Sequence, residues 1–215
     1  MINTLLWNIR GVSKLPNLRR LKSIIKEKGV QFVAISEPKL EASRVEDIRL
    51  KLAFDFAHVN DSGDLWILYK YPFNCSVLGN STQHISLMVS HPWLPGSMIF
   101  SFVHAACTEE GRRELWANLL LDKPQALPWC IGGDFNVIVE ASEKKGGRPF
   151  AVSEGVDFLA FMQDAEVFDA GCSGSSFSWC NNRRGRARIW KRLDRLLMNG
   201  EMAEAVSVIS VVHLA

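Results

Sequence analysis

Four polar side chains with oxygen atoms stand directly after short apolar runs that predict buried strands. They are Asn8, Glu37, Asp134 and Asn136. In α/β sheets, ligands and reacting groups gather at the carboxyl ends of strands. Carboxylate and amide oxygens are the ligands that Mg²⁺ prefers, together with water and phosphate oxygens. We therefore predict that Asn8, Glu37 and Asp134 converge on a divalent cation, Mg²⁺ or Mn²⁺.

Each of these residues alone has a simpler interpretation. Glu37 precedes Pro38, and an acid before proline is often a turn or cap residue. Asp134 follows two glycines, and aspartate in such a position is common in turns. A carboxylate among apolar neighbours is nevertheless costly to bury unless it is paired or bound to a metal, so the chemical interpretation depends on the combination.

The elements that position these residues alternate at the start of the chain. Thr4–Trp7 predicts a strand, and apolar residues at helical spacing over Leu18–Lys28 predict a helix that ends at Gly29. Phe32–Ile35 predicts a buried strand, and Arg44–Leu52 predicts a second helix. This order is typical of an α/β domain.

The middle of the chain changes character. Short β-prone segments separated by turn residues predict consecutive antiparallel strands. They are Leu65–Tyr69, Ser76–Leu78, Ile85–Val89 and Met98–Val103. An amphipathic helix over Glu109–Leu121 and a buried strand over Trp129–Gly132 follow.

The last third mixes helix and strand again. A helix is predicted over 156–162, and a polar turn at Asn181–Gly185 separates two predicted strands. The predicted strands are Ser176–Trp179, Ile189–Met198 and the final apolar segment Val206–Val212. We expect residues 1–215 to form one domain with two β-sheets packed face to face and helices outside.

Composition sets broad limits on the class of protein. The chain has 215 residues, 47% of them hydrophobic, which is enough for a sizeable core. The net charge of +2 indicates no global affinity for nucleic acid. The five cysteines have no paired short spacing, which argues against a zinc site. The sequence shows no secretory signal and no apolar membrane span, so we expect a soluble protein inside the cell.

Four segments of the sequence resemble, in this order, successive motifs of the endonuclease–exonuclease–phosphatase superfamily. They are Leu6-Trp7-Asn8-Ile9-Arg10-Gly11, Ser36-Glu37-Pro38-Lys39, Ile131-Gly132-Gly133-Asp134-Phe135-Asn136 and Arg192-Leu193-Asp194-Arg195. Further segments are similar to the plant branch of LINE-type retrotransposon endonucleases. They are Arg112–Trp116, Ser142–Pro149 and Phe177–Asn181.

This resemblance implies a four-layer α/β sandwich that cleaves phosphodiester bonds with Mg²⁺. It implies that Glu37 holds the cation with help from Asn8, and that Asp134 prepares the attacking water or protonates the leaving oxygen. Asn136 then positions the water, and Asp194 orients a catalytic histidine. The resemblance also implies a DNA substrate, a neighbouring reverse transcriptase and, for a functional element, a nuclear location.

The sequence departs from the family pattern at two places. The family's last motif, Ser-Asp-His, is absent from the segment that follows Val206–Val212, and His213 is interpreted as a strand-end surface residue. We therefore expect a truncated domain that lacks its last core strand and has little or no activity. His104 stands where many relatives have a tyrosine that stabilises the phosphate, so it is a candidate catalytic residue.

A local basic run marks a candidate nucleic-acid contact. Between Arg183 and Arg195 there are seven Lys or Arg residues and one acid, and such side chains neutralise phosphates. The plainer alternative is a solvated polar turn. The candidate DNA-binding residues are Arg10, Lys39, Arg148, Asn181, Arg188 and Arg192.

Three functions fit these observations. The first is a metal-dependent endonuclease that nicks DNA to prime reverse transcription. The second is a small-molecule phosphoesterase of the same fold, such as an inositol phosphatase or sphingomyelinase relative. The third is a remnant that binds DNA without turnover, which predicts strongly salt-dependent binding and no cleavage with Mg²⁺.

Overall fold

The computed structural model describes residues 2–214. The chain divides into two compact units, Met1–His104 and Ala105–Ala215, called here the first and the second unit. Each unit is described by itself. Within residues 2–214, no helix is long and apolar enough to cross a membrane.

The first unit contains two helices and seven strands within the described residues. They are β1 (Thr4–Asn8), α1 (Leu15–Lys28), β2 (Phe32–Ser36), α2 (Val45–Leu52), β3 (Phe56–Val59), β4 (Leu65–Tyr69), β5 (Asn74–Asn80), β6 (His84–Ser90) and β7 (Met98–His104). One mixed sheet has the order β1-β2-β4-β3. Strands β5, β6 and β7 form an antiparallel meander.

The parallel pairing of β1 with β2 positions the first group of candidate residues. Asn8 lies opposite Ser36 at the end of this pair. Helix α1 follows because Leu21 and Ile25 recur at helical spacing and are buried. Gly29 ends the helix in the left-handed conformation at φ 58°, which glycine adopts without steric cost. The two strands therefore deliver their carboxyl ends to one sheet edge.

The core of the first unit explains why these strands are so apolar. All five residues of β2 and all five of β4 are buried. On the outer side they pack with residues of α1 and α2, among them Leu21 and Ile48. On the other side the ring of Phe32 meets Phe100 of β7, with centroids 5.6 Å apart.

The second unit contains three helices and eight short strands within the described residues. They are α3 (Glu109–Leu121), β8 (Trp129–Asp134), β9 (Lys144–Lys145), α4 (Val156–Ala165), β10 (Phe168–Asp169), β11 (Ser173–Gly174), β12 (Trp179–Cys180), β13 (Trp190–Lys191), β14 (Asp194–Met198), α5 (Gly200–Ala205) and β15 (Val212–His213). Strands β10, β14 and β8 pair antiparallel in that order. Strands β12, β13 and β9 form a small antiparallel sheet.

Aromatic packing holds helices α3 and α4 on the second unit. The indole of Trp116 stacks on Phe161, with centroids 4.8 Å apart, and Phe158 lies 5.1 Å from Phe135. Phe135 directly follows Asp134 at the end of β8. Because Phe135 is fully buried, it fixes the backbone that carries the neighbouring aspartate.

Most predicted elements are confirmed, and the helix over Glu109–Leu121 has the predicted bounds. Three strand predictions are wrong. Of the predicted strand Ser176–Trp179 only Trp179 is in a strand, which continues to Cys180. The predicted strand Ile189–Met198 is two strands in different sheets. The predicted strand Val206–Val212 is irregular up to residue 211, and strand pairing begins only at Val212.

The physical reasons for these corrections are local. Ser178 Oγ accepts hydrogen bonds from the backbone N–H groups of Leu193 and Asp194, both at 3.0 Å. These side-chain bonds replace ladder bonds, so the long segment breaks between β13 and β14. Val208 is apolar but largely exposed, so apolar composition alone did not make it part of a buried strand.

Candidate active site

The candidate residues of the first unit lie on two loops that are tied together. The loop after β1 donates three backbone hydrogen bonds to the loop after β2. Ile9 N donates to Ser36 O at 3.0 Å, Gly11 N to Glu37 O at 2.9 Å, and Val12 N to Pro38 O at 2.9 Å. This bonding fixes the backbone beneath the Asn8 and Glu37 side chains.

The same loops contain three non-glycine residues in the left-handed region. Arg10 has φ 47°, Glu37 has φ 49° and Lys39 has φ 52°. Each such residue costs on the order of 1–3 kcal/mol and persists only where the surrounding structure enforces it. All three were predicted as metal or DNA ligands from the sequence. Their clustering at one sheet edge supports a functional role for the edge.

Glu37 is the centre of this cluster. Its Oε1 accepts a hydrogen bond from Asn8 Nδ2 at 2.8 Å, and its Oε2 lies 3.0 Å from Lys39 Nζ. His104 Nε2 lies 3.9 Å from Oε1. Partial burial raises the pKa of Glu37, but the hydrogen bond from Asn8 and the contact with Lys39 outweigh it, so the pKa lies below its usual value. Glu37 is therefore a carboxylate at neutral pH.

The donor atoms of this cluster fit a divalent cation. Asn8 Oδ1 is buried and has no hydrogen-bond partner among residues 2–214, and an unsatisfied buried oxygen is costly. The exposed Lys39 ammonium lies 3.0 Å from Glu37 Oε2, so this carboxylate already has a cation as neighbour. Within the same described residues, no group of three or more His, Cys, Asp or Glu side chains is arranged to hold a metal. The set suits Mg²⁺, which needs only one or two carboxylates beside water and phosphate oxygens.

The second unit holds a pair of acids on neighbouring strands. Asp134 ends β8 and Asp194 begins β14, and the two are direct cross-strand partners. Burial, and then the negative charge of Asp134, raise the pKa of Asp194 to about 7, although Ser178 opposes this through a hydrogen bond. The pair therefore retains a proton near neutral pH. Such a group can donate a proton as well as accept one.

Asn136 is held firmly beside this pair. Its backbone has φ 49°, its N–H donates to Asp134 Oδ1 at 3.0 Å, and its Nδ2 donates to Ala105 O at 2.7 Å. The buried Arg112 donates to Asn136 O at 3.1 Å. Sequence reasoning missed Arg112 and Ser178 as supporting residues. Their only signal was their position inside segments that carry the family resemblance.

Comparison with known proteins decides the family. The family model described as "Endonuclease/Exonuclease/phosphatase family" matches residues 5–215. The chain belongs to the endonuclease/exonuclease/phosphatase family. A comparison with curated protein sequences gives no match.

Solved structures of this family share the fold at low sequence identity. The endonuclease domain of TRAS1, a telomere-specific non-LTR retrotransposon, has 11% identity and a TM-score of 0.67, with 95% of this chain and 88% of that chain covered. The AP endonuclease LMAP from Leishmania major has 14% identity, a TM-score of 0.70 and coverages of 94% and 80%. The 3′ phosphatase NExo from Neisseria, bound to product DNA hairpin, has 11% identity, a TM-score of 0.69 and coverages of 95% and 89%. These likenesses confirm the predicted α/β fold with two mixed β-sheets flanked by helices.

The predicted DNA-binding residues of this family member lie in different environments. Arg148 is exposed and lies 3.4 Å from Glu154. Arg188 lies over the ring of Trp190, 5.8 Å from its centroid. The Asn181 side chain forms hydrogen bonds within its own hairpin. Its Nδ2 donates to Ala187 O, and its Oδ1 accepts from the backbone N–H groups of Arg183 and Ile189. Arg10 and Lys39 lie on the Glu37 loops already described.

Two arginines of the basic run are not surface residues. The side chains of Arg192 and Arg195 are 16% and 2% exposed, and both form ion pairs with Glu143 and Asp169. The basic run is therefore not one continuous exposed surface. Arg192 takes part in this largely buried network, and its predicted contact with DNA stays a prediction. Arg192 and Arg195 are largely buried because they pair with Glu143 and Asp169, which are far away in sequence. Counting charges along a short segment cannot reveal such partners.

The interpretation of His213 as a surface residue is also corrected. Its Nδ1 lies 2.9 Å from Ser175 O, and its Nε2 is buried without a hydrogen-bond partner among the described residues. His213 belongs to β15, which pairs in parallel with β11. His213 thus lies at a strand end, as interpreted, but is only partly exposed.

Proposed function

We propose that this protein hydrolyses phosphodiester bonds in DNA with the help of a divalent cation, Mg²⁺ or Mn²⁺, bound by Asn8 and Glu37. The observation that carries the proposal is the buried, unpartnered Asn8 Oδ1 next to a carboxylate whose pKa is lowered. A cation at this position would offset the charge that builds up on phosphate oxygens in the transition state. The left-handed backbone of Glu37 also supports a functional site, because such strained residues cluster at functional sites although they lower stability.

The remaining residues supply positioning and proton transfer in this proposal. Asp134 and Asp194 retain a proton near neutral pH and so can receive the proton of an attacking water or deliver one to the leaving oxygen. Asn136 keeps Asp134 oriented through its backbone N–H. His104, which lies 3.9 Å from Glu37, contacts a phosphate oxygen in place of the tyrosine found in many relatives.

DNA is the proposed substrate. Support comes from the exposed basic side chains Arg148 and Arg188, which suit phosphate contacts. It also comes from the fold shared with the TRAS1 endonuclease domain and with the DNA-bound phosphatase. By the same likeness, we propose that the domain acts with a reverse transcriptase in a retrotransposon.

Cation binding is the first test of the proposed function. Glu37→Gln removes the charged ligand and keeps the shape, so we expect Mn²⁺ and Mg²⁺ affinity, measured by isothermal titration, to fall at least about tenfold, equal to roughly 1.4 kcal/mol. Glu27→Gln is the matched control because Glu27 is an exposed acid on α1 that forms an ion pair with its neighbour Lys28. Equal affinities in the wild type and Glu37→Gln would contradict the proposed site.

Substrate class is tested with the same proteins. The expectation of little or no activity stays a prediction that nicking of supercoiled plasmid by the wild type tests. Any nicking that the wild type shows should require Mg²⁺ and decrease in both Glu37→Gln and Asp134→Asn. Hydrolysis of a small phosphomonoester by the wild type, with intact plasmid, would instead favour a small-molecule phosphoesterase. Salt-sensitive DNA binding without any cation binding would favour a non-catalytic DNA-binding protein.

A further inference from the structure

Two neighbouring cross-strand pairs at β9 and β13 have opposite electrostatics. In the first pair, Arg192 N donates to Glu143 O at 3.0 Å, and the Arg192 side chain lies 3.2 Å from the Glu143 carboxylate. In the next pair, Lys191 lies directly opposite Lys144. Like charges directly opposite each other destabilise a sheet. The charge of Arg192 is therefore neutralised by Glu143, whereas the charges of Lys191 and Lys144 repel each other.

The lysine pair has little compensation. Neither Lys144 nor Lys191 forms an ion pair with an acid of residues 2–214, and the nearby Glu154 is engaged by Arg148 at 3.4 Å. Burial and then the charge of Lys144 lower the pKa of Lys191, Glu154 opposes them, and Arg148 adds to the lowering. The charges of Lys144 and Arg148 thus disfavour the charged form of Lys191.

The backbone contacts beside β9 fix the register that sets Lys144 opposite Lys191. Gly146 and Gly147 follow β9 with φ 87° and 71°. A Cβ at Gly146 would lie 2.3 Å from Arg188 O, and one at Gly147 would lie 2.8 Å from the Ile189 side chain. The loop is therefore in direct contact with the segment that leads into β13. The repulsion is a fixed property of the fold and not of a loose surface loop.

We propose that Lys144, Lys191 and Arg148 form a subsite for a backbone phosphate of nucleic acid. A phosphate oxyanion between these side chains would attract each of the three cations and so offset the repulsion of Lys191 by Lys144 and Arg148. The paired strands hold the two lysines in register before the anion binds, which reduces the entropy lost on binding. The inference deepens the proposed function and depends on its claim that the substrate is DNA.

Salt-dependent binding tests the subsite. Affinity for a duplex oligonucleotide is measured by fluorescence anisotropy over a range of salt concentrations without divalent cation. For Lys144→Gln and Lys191→Gln we expect the slope of log K against log salt to become shallower by about 0.9, which corresponds to roughly eightfold weaker binding at 0.1 M salt. Lys22→Gln is the control, because Lys22 is an exposed lysine in α1 of the first unit.

The stability of the free variants separates binding from folding. Because Lys191→Gln removes a repulsion, we expect its unfolding temperature to equal or exceed that of the wild type, although it binds DNA less well. A lower unfolding temperature of Lys191→Gln would contradict the claim that Lys144 and Lys191 repel each other in the free protein. Slopes equal to the wild-type slope, or an equal change in Lys22→Gln, would overturn the subsite.

Failure of the inference differs from failure of the proposed function. If the wild type binds duplex DNA and the slopes of both lysine variants are unchanged, only the subsite is wrong. If the wild type binds Mn²⁺ but no duplex at any salt concentration, the DNA substrate and the subsite both fail, whereas the cation site stands. Competition by inorganic phosphate as strong as that by DNA phosphate would overturn the assignment to nucleic acid.

Discussion

Glu37 in the first unit and Asp194 in the second are both partly buried acids, yet their pKa values move in opposite directions. Glu37 accepts a hydrogen bond from Asn8 and contacts the Lys39 ammonium, and its pKa is lowered. Burial, and then the like charge of Asp134 across a strand pair, raise the pKa of Asp194 to about 7. The difference assigns the two acids to different chemistry, because a permanent carboxylate suits a cation and a carboxyl that titrates near neutral pH suits proton transfer.

A third acid separates the effect of burial from the effect of the partner. Glu143 is only 5% exposed, but its pKa lies below the usual value. Burial raises the pKa, and hydrogen bonds from Arg195 and from the Val139 N–H outweigh that effect. The comparison of Glu37 with Asp194 therefore teaches that burial raises the pKa of each acid, and that the pKa falls below its usual value only where hydrogen-bond donors and cations outweigh burial.

The largest effect is expected from removing the partner of Glu143. Arg195→Met leaves Glu143 buried without its main donor, so we expect a loss of about 3–5 kcal/mol in the free energy of unfolding at pH 7. Urea denaturation measures this loss. In the same variant, the pKa of Glu143 should rise above its usual value, which ¹³C NMR of the carboxyl detects.

Arg186→Met is the control for this variant, because Arg186 lies in the exposed turn of the hairpin. Surface changes of this kind are usually worth less than about 0.5 kcal/mol. If Arg195→Met were as stable as this control, the charge of Arg195 would not be what keeps Glu143 ionised. The explanation of the different pKa shifts by neighbouring groups would then be wrong.

A smaller effect is expected from Asp194→Asn, measured in EDTA. The folded protein binds a proton at Asp194 with pKa about 7, whereas the usual value is 3.8. The folded state therefore holds more protons between these values, so this group's contribution to stability declines as pH rises from about 4 to 7. From pH 5 to pH 8 the wild type should lose about 2–3 kcal/mol relative to Asp194→Asn.

Urea denaturation at the two pH values measures this difference. Asp164→Asn is the control because Asp164 is an exposed acid on α4, and it should follow the wild type at both pH values. A stability difference between the wild type and Asp194→Asn that is the same at pH 5 and pH 8 would show that Asp194 is ionised throughout.

The smallest effect is expected from Asn8→Ala. The variant removes the hydrogen bond that favours the ionised form of Glu37, so the pKa of Glu37 should rise. Carboxyl ¹³C NMR in EDTA measures the change. Asn3→Ala, which alters an asparagine that bonds to Lys28 O, should leave Glu37 unchanged, and a lowered pKa in Asn8→Ala would contradict the proposed contact.

Strands with continuous apolar runs were predictable from the sequence. Phe32–Ile35 and Leu65–Tyr69 are predicted and found, because residues buried on both sides of a sheet must all be apolar. The segments around Ser178 and Val208 were not predictable in the same way. Their structure depends on two hydrogen bonds to the Ser178 side chain and on whether a partner strand is present, and neither is encoded in a local pattern.

The candidate site was predicted in part. The sequence identified Asn8, Glu37 and Asp134 by type and by position after apolar runs, and the structure places the first two in direct contact. The convergence of all three on one cation stays a prediction. The sequence also counted Arg192 and Arg195 as surface charge, whereas Glu143 and Asp169 bury them in ion pairs.

The sequence by itself determined the α/β class, the family and the side chains that can do chemistry, because apolar periodicity and residue type are local properties of the chain. Only the tertiary structure decided which charges meet. It placed Lys39 beside Glu37, Asp134 opposite Asp194, and Lys191 opposite Lys144. Partners such as Asp134 and Asp194 are far apart in sequence, and electrostatic energy depends on distance in space, so the protonation of these acids could be assigned only after the chain was folded.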